Sequence, residues 1–550
     1  MSFVRWSALG VMVFFSPQLF ALEPVEKKGD QSQVESFDEK SEDGGAGSLE
    51  SDESLEVGEE KKAKAKKVAT ENPGDSEKGT EQNENLVFGG GDDRDAAFFG
   101  SDDGEDDDFG APIEEGGADD SLIQRLGDSL EELDERLELG GFLFLRLDGF
   151  VSDRGSAATQ PLFSRNLFDI YMDGRPNDRL RGYVRGRLSF DPTVDSGATD
   201  FLGQPRENTS VLLDQLWLKF DIYRRVYITA GKQPIRWGSS RFWNPTDFLN
   251  SQIRDPLAVF DERTGVTLVK AHIPVESLGW NFYAVANLTG ASTIEDLSGA
   301  LRGEFLWGET EIALSAGYGQ GKPLQFGFDI SSALWLFDVR LEMAVQHGVQ
   351  TPFYRGAYTV DFEKLVFESP TLHDRSDDWI LQGTAGADIS FLYNDEDSII
   401  LGVEYFYNDA GYKNADLYPW LVSQGLFEPL YMGRHYLSAY MVLSAPGDWN
   451  DSYFTLSGLG NLSDESLILR FDANFRVLTF MSLNAYSSVH LGSRGEFRFG
   501  VDGIDIPGLG TPAVDEALGE LGVDANQAAL AQAGIPTPLF EVGVGLRVTF

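Results

Sequence analysis

Five histidines, His272, His347, His373, His435 and His490, are the side chains best suited to proton transfer or metal ligation near neutral pH. They are scattered, with no pair at metal-ligand spacing. The chain has no cysteine. That removes thiolate metal sites, iron–sulfur clusters, cysteine nucleophiles, disulfides and a lipidated N-terminal cysteine. No Gly-x-Ser-x-Gly, His-Glu-x-x-His or phosphate-loop pattern occurs. The sequence is therefore not read as an enzyme, and it implies no cofactor and no metal. The acidic knot Asp102–Asp108 offers oxygen ligands for Ca²⁺, but it lacks the alternating spacing of an EF-hand loop and reads as a solvated charge run. What remains is the chemistry of charged rows. Arg146, Arg185, Arg187, Arg470, Arg476, Arg498 and Arg547 fall on polar rows near the two ends of the region 140–550. Glu304, Glu311, Glu342, Asp388 and Glu404 fall on polar rows in its middle. Two facing walls of opposite charge select small ions and set a transverse field. The plainer alternative is that these charges pair with one another and simply fill an interior.

The elements that must position these residues follow a period of two. In Glu311–Tyr318, Phe337–His347, Leu467–Arg476 and Phe540–Phe550 apolar residues alternate with polar or small ones. Alternation puts one face in an apolar medium and the other in water. Runs of about ten residues exceed the five or six usual in soluble sheets and match a tilted bilayer crossing. Lipid forbids an open sheet edge, so the expected fold class is all-β, a closed antiparallel transmembrane β-barrel. Trp307, Trp335 and Trp449 lie at or beside tight turns, where an interfacial aromatic girdle belongs. Segments of this kind number 19, the eighteenth being Arg494–Asp502. An even number is required, so the expectation is about 18 strands (16–20), with one strand missed or overcounted after residue 407. Short turns alternate with long connections at 191–210, 234–262, 348–378 and 408–433. The long connection 503–538 breaks that alternation, and its Ala513–Ala533 stretch is helix-like.

The 550 residues carry 44 basic and 89 acidic side chains, a net charge of −45, which excludes nucleic acid as a partner. Residues 1–21 have Arg5, an apolar run and Ala21 at a cut site, the pattern of a cleaved signal peptide. Residues 22–120 are rich in Glu, Asp, Ser, Gly and Lys and poor in aromatics, a composition expected to stay disordered. In 121–139, Leu126, Leu130, Leu133 and Leu137 form a short amphipathic, coiled-coil-like seam. Two readings stay open for this segment: a helix that makes a homo-oligomer, or a linker that docks on the barrel mouth.

The segment Glu541–Phe550, alternating and ending in an aromatic, resembles the last strand of Gram-negative outer-membrane β-barrels. The likeness covers about residues 140–550. It implies a porin-like barrel in the bacterial outer membrane, an N-terminal segment in the periplasm, outer-membrane lipid around the barrel, and barrel-assembly machinery that reads Phe550. A second segment, Gly231–Gly238 followed by Trp243-Asn244-Pro245-Thr246-Asp247, is similar to a strand-and-loop segment of porin-like and exopolysaccharide-export-like barrels. Arg236, Arg241 and Asp247 are then expected either on a loop folded inward to narrow the lumen, or on a structural loop fixed by Trp and the Asn-Pro turn. Three functions remain: a channel for small hydrophilic solutes, a polymer export conduit, and a structural or surface-interaction barrel.

Overall fold

The computed structural model describes residues 136–155, 160–195, 206–250, 252–319, 322–349, 351–361, 366–394, 397–503, 510–512 and 532–550. Among them are eighteen long strands: β1 Leu137–Ser152, β2 Asn166–Asn177, β3 Leu180–Phe190, β4 Thr209–Ile222, β5 Val226–Gln233 and β6 Val266–Val275. Next come β7 Trp280–Asn287, β8 Ser298–Trp307, β9 Thr310–Gly319, β10 Lys322–Leu334, β11 Phe337–His347 and β12 Trp379–Leu392. The last six are β13 Ser398–Asn408, β14 His435–Ser444, β15 Ser452–Asn461, β16 Ser466–Leu478, β17 Met481–Gly492 and β18 Pro538–Thr549. Each pairs antiparallel with its neighbour in sequence. β1 then pairs with β18 from Phe142 opposite Thr549 to Ser152 opposite Pro538, which closes the cylinder. The seam is tied at its end by Gly141 N–H donating to Phe550 O at 2.9 Å and Phe550 N–H to Gly141 O at 3.0 Å. The Phe550 ring stacks on Phe168.

Arg494–Asp502 is the overcounted strand. Its residues form a short 3₁₀ turn, Glu496–Arg498, in the connection between β17 and β18. The polar–apolar alternation there is real, but Glu496 and Phe497 are both buried, so it marks no lipid-facing edge. Removing it restores the alternation. The turns 178–179, 223–225, 276–279, 308–309, 335–336, 393–397, 445–451 and 479–480 then lie at one end of the barrel, here the turn end, with both chain termini of the sheet, while the short connections 320–321 and 462–465 lie at the opposite end. The connections 234–265, 348–378, 409–434 and 493–537 lie at the other, the loop end. The alternating rows split as expected. Leu314 (52% exposed), Leu341, Phe471 and Val544 point outward, while Glu342, Asp388, Glu404 and Arg470 point inward and are buried. Trp307, Trp335 and Trp449 are exposed at the turn end, and Tyr318 and Trp379 at the loop end. From Thr310 to Tyr318 a strand tilted by about 40° rises roughly 21 Å, the height of a bilayer's apolar band. A closed barrel with an apolar belt between two aromatic rings is a membrane-spanning one.

Leu137–Leu139, the end of the expected helix, are instead the first residues of β1, paired with Gly174–Met172. Hydrogen bonding to the edge of β2 wins over the helical seam there. The signal peptide, the acidic segment 22–120, the rest of the seam at 121–135 and most of Ala513–Ala533 lie outside the described residues.

Candidate functional site

The connection between β5 and β6, residues 234–265, folds into the barrel. Its backbone N–H groups need partners in a place water does not fill, and two strand carboxylates supply them. Glu342 on β11 accepts from Ser239 N–H (3.1 Å), Ser240 N–H (3.2 Å), Thr246 N–H (2.8 Å) and Thr246 Oγ1 (2.8 Å). Glu404 on β13 accepts from the consecutive N–H groups of Arg241 (2.8 Å), Phe242 (3.1 Å) and Trp243 (3.0 Å). Consecutive N–H groups converging on one anion form a concave cradle around it. Gly238 has φ of +96°, and a Cβ there would lie 2.5 Å from the Glu342 carboxylate, so only glycine lets the chain pass. Trp243 is completely buried. Its ring stacks on Phe406 with centroids 5.4 Å apart, and its Nε1 donates to Leu430 O at 3.0 Å. Arg241 Nε is 2.8 Å from Asp388, which Arg340 also holds and to which Tyr440 donates.

Arg241 therefore faces a wall carboxylate. Arg236 and Asp247 serve the loop itself. Arg236 Nη2 donates to Ser240 O at 3.2 Å. Asp247 accepts from Trp237 N–H, Asn250 and Arg263. Glu342 and Glu404, expected on an open acidic wall, do point inward but are covered by the loop they anchor, which corrects the expectation of an open wall. Glu311 does lie on an inward row, near the turn end, opposite Ser331. A cavity of about 20 Å³, room for one water, is left where Pro256 and Leu257 meet Thr455, Ser457 and Asp472 of the wall.

Burial pushes the Asp255 carboxyl on this loop up to about 6, with Leu257 N–H its partner at 2.9 Å. Burial pushes Asp261 in the same direction, but the Arg263 guanidinium overrides it and holds the carboxyl at about 2.

A second layer closes over the first. The connection 409–434 carries a short helix, α1 Tyr418–Ser423. Tyr418, Leu421 and Phe427 pack with Phe499 and Ile535 of the 493–537 connection. Glu496 anchors this layer as Glu342 anchors the first. It accepts from Leu430 N–H, from Tyr436 Oη at 2.6 Å and from Asn461 Nδ2 at 2.7 Å, while its own N–H donates to Asp464 at 2.8 Å. Burial first, and Asp464 second, push the Glu496 carboxyl up to about 8. Arg498, expected on a pore-lining strand, sits in this turn and donates to Gly492 O at 2.6 Å, a second correction.

The opposite wall is not a bare basic face. Arg187 lies 3.1 Å from Asp169 and 3.3 Å from Asp214, and Arg185 lies 2.8 Å from Asp169. Arg146 pairs with Asp148 at 2.6 Å, and Arg470 with Asp472 at 2.8 Å. Arg470 also lies 3.9 Å from the Tyr486 ring centroid. Arg547 lies 4.5 Å from the Phe142 ring centroid, beside Phe260 of the inward loop. The expectation of one basic and one acidic wall is replaced by paired charges on both. Asp148 was legible at i+2 from Arg146. Asp214 was not, because a bulge between Arg185 and Gly186 brings it round. The five histidines stay apart, and among the described residues no cluster of metal-ligating side chains forms.

No protein-family model and no curated protein matches this chain. Solved structures do. OccAB4 of Acinetobacter baumannii is similar with a TM-score of 0.44 at 6% identity, over 76% of this chain and 98% of that one. OccK1 (OpdK) of Pseudomonas aeruginosa scores 0.42 at 8% identity, over 75% and 99%. OprB of Pseudomonas putida scores 0.40 at 10% identity, over 78% and 97%. Likeness of this degree is silent on solute and mechanism.

Proposed function

We propose that the protein is a porin-like channel of the bacterial outer membrane that passes small hydrophilic solutes through a narrowed lumen. One observation carries this reading: a membrane-spanning barrel of eighteen strands is wider than its own side chains can fill, and the chain narrows it with a loop held by charge rather than by greasy packing alone. Carboxylate-to-amide anchoring keeps the interior polar and wettable at its margins. Arg146, Arg185 and Arg165 keep a quarter to a third of their side-chain surface open inside the barrel. Two stacked layers of inward connections do not suit a thick polymer, so the solutes are small. The test is a planar-bilayer recording of the purified protein. Discrete conductance steps support the channel. Their absence, with the barrel intact by gel mobility, would leave a structural barrel. Liposome swelling with small sugars against polymer release separates diffusion from export.

A further inference from the structure

The turn-end mouth is electrically lopsided. On β2–β5 and their turns it carries Arg175, Arg179, Arg181, Lys219, Arg224 and Arg225, against Asp173, Asp178 and Asp221, with Arg136 and Glu138 beside them at the start of β1. Asp173 and Asp221 are already saturated: Asp173 by Arg175 and Arg181, both at 2.7 Å, and Asp221 by Arg179 at 2.8 Å. Lys219, Arg224 and Arg225 are exposed, and among the described residues none of the three side chains forms an ion pair, although Lys219 Nζ lies 6.0 Å from the Tyr227 ring centroid and Arg224 N–H donates to Asp221. Elsewhere around the same mouth the turns carry Glu276, Glu309, Asp397, Asp448 and Asp451. Inside the basic sector lies a run of rings. Tyr171 stacks on Tyr183 and Tyr183 on Trp217, with centroids 5.7 and 5.3 Å apart. All three are on inward rows and half-exposed. Centroids that far apart in near-parallel rings mean offset stacking, and Arg181 lies over the Trp217 ring, 5.4 Å from its centroid. The sector thus offers aromatic faces rimmed by unspent cations.

The chain holds a segment of complementary chemistry next to it. Residues 121–135 carry Leu126, Leu130 and Leu133 on one seam, and Asp128, Glu131, Glu132, Asp134 and Glu135 against the single Arg125. They run directly into Arg136, whose Nη1 donates to Pro176 O at the edge of this sector, and into β1, whose first residues pair with β2. We infer that residues 121–135 dock on the β2–β5 sector of the mouth, leucines on the Tyr171–Tyr183–Trp217 rings and carboxylates on Lys219, Arg224 and Arg225. Four strands span roughly 19 Å at the usual interstrand spacing, and fifteen residues cover that as a helix of about 22 Å or with slack when extended. Tethering makes the encounter intramolecular, at an effective concentration of order millimolar, so weak contacts suffice. A seam that makes oligomers would leave the sector's cations unanswered. This inference needs the barrel but not conduction, so it stands or falls apart from the channel reading.

The absence of cysteine makes the test clean. Two double variants of the full chain are prepared in detergent, Ser129→Cys with Tyr223→Cys, and Ser129→Cys with Thr479→Cys. Tyr223 is in the basic sector's turn. Thr479 is in the β16–β17 turn, on the other side of β1 and fewer strands from it. Chain reach alone favours Thr479, whereas docking favours Tyr223. The expected result is an intramolecular disulfide that forms at least tenfold faster with Tyr223→Cys. The preference should be lost, or reverse toward Thr479→Cys, in 1 M salt or when Arg224→Glu and Arg225→Glu are added. Equal rates for the two pairs would overturn the inference. So would Ser129→Cys crosslinks that run between molecules, which would assign the segment to oligomerisation, or a preference lost only in anionic lipid vesicles, which would assign the cations to headgroups. Tyr223, Arg224, Arg225 and Thr479 are exposed turn residues and Ser129 precedes the first strand in sequence, so heat-modifiable gel mobility verifies that each variant folds.

Discussion

Truncating Glu342 and Glu404 to alanine perturbs the lumen where the fold spends most on it. Each Glu→Ala change removes an anion that accepts three or four hydrogen bonds from the inward loop. Hydrogen bonds to a charged group contribute about 1.5–3 kcal/mol each, and they are not additive when the donors can move together. The loop is free to swing out and hydrate its N–H groups, so the loss is capped near the cost of two such bonds. That gives about 3–6 kcal/mol per carboxylate, more than a hundredfold in the ratio of detached to docked loop. The strands themselves keep their ladders, so the barrel should survive. Planar-bilayer recordings of E342A, E404A and the double variant should show larger conductance steps or frequent excursions to a larger step, most in the double variant. E342Q should lie between, because an amide oxygen still accepts while its NH₂ opposes the remaining donors. If the double variant inserts, runs as a folded barrel and conducts in steps the same size as the unaltered protein, carboxylate anchoring is not what holds the loop in.

Four further outcomes follow from the same contacts. Trp243→Ala leaves a void among Phe406, Tyr436 and Leu430, and should lower stability toward urea or heat by about 3–5 kcal/mol, read by the unfolding midpoint. Arg187→Glu would place a third carboxylate against buried Asp169 and Asp214, and should cut the yield of folded barrel sharply rather than merely invert ion selectivity; gel mobility and bilayer selectivity together check this. Glu496 has a folded pKa near 8, above its ordinary value of 4.5, so it binds its proton more tightly when the second layer is docked. Its contribution is therefore fully present below about pH 4.5 and is lost as pH rises through 8; limited proteolysis of residues 493–503 should speed up from pH 5 to pH 8.5, and Glu496→Gln should flatten that profile. Deleting Phe550 removes the stack on Phe168 and both closing hydrogen bonds to Gly141, and should lower the folded fraction in refolding with little change in the barrel that does form.

Most of the barrel was legible in the residues because it is written in a period of two. Leu314, Phe471 and Val544 must leave water while Glu342, Arg470 and Glu541 must not, and a strand cannot place neighbours on the same side. Lipid then demands closure, which corrects the odd strand tally. Arg494–Asp502 alternates as well, yet it is a turn, because buried Glu496 and Phe497 answer to the lumen rather than to lipid. The partners of the charges were legible only where they are local, as for Arg146 and Asp148. Glu342 meets Thr246 across 96 residues and Glu404 meets Arg241 across 163, and no periodicity encodes which loop turns inward or whose N–H groups a wall carboxylate will take. The sequence by itself determined the solvent of each face and hence the cylinder. Only the tertiary structure decided what fills it, because satisfying buried amides is a problem of three-dimensional proximity, solved once the strands have set the distances.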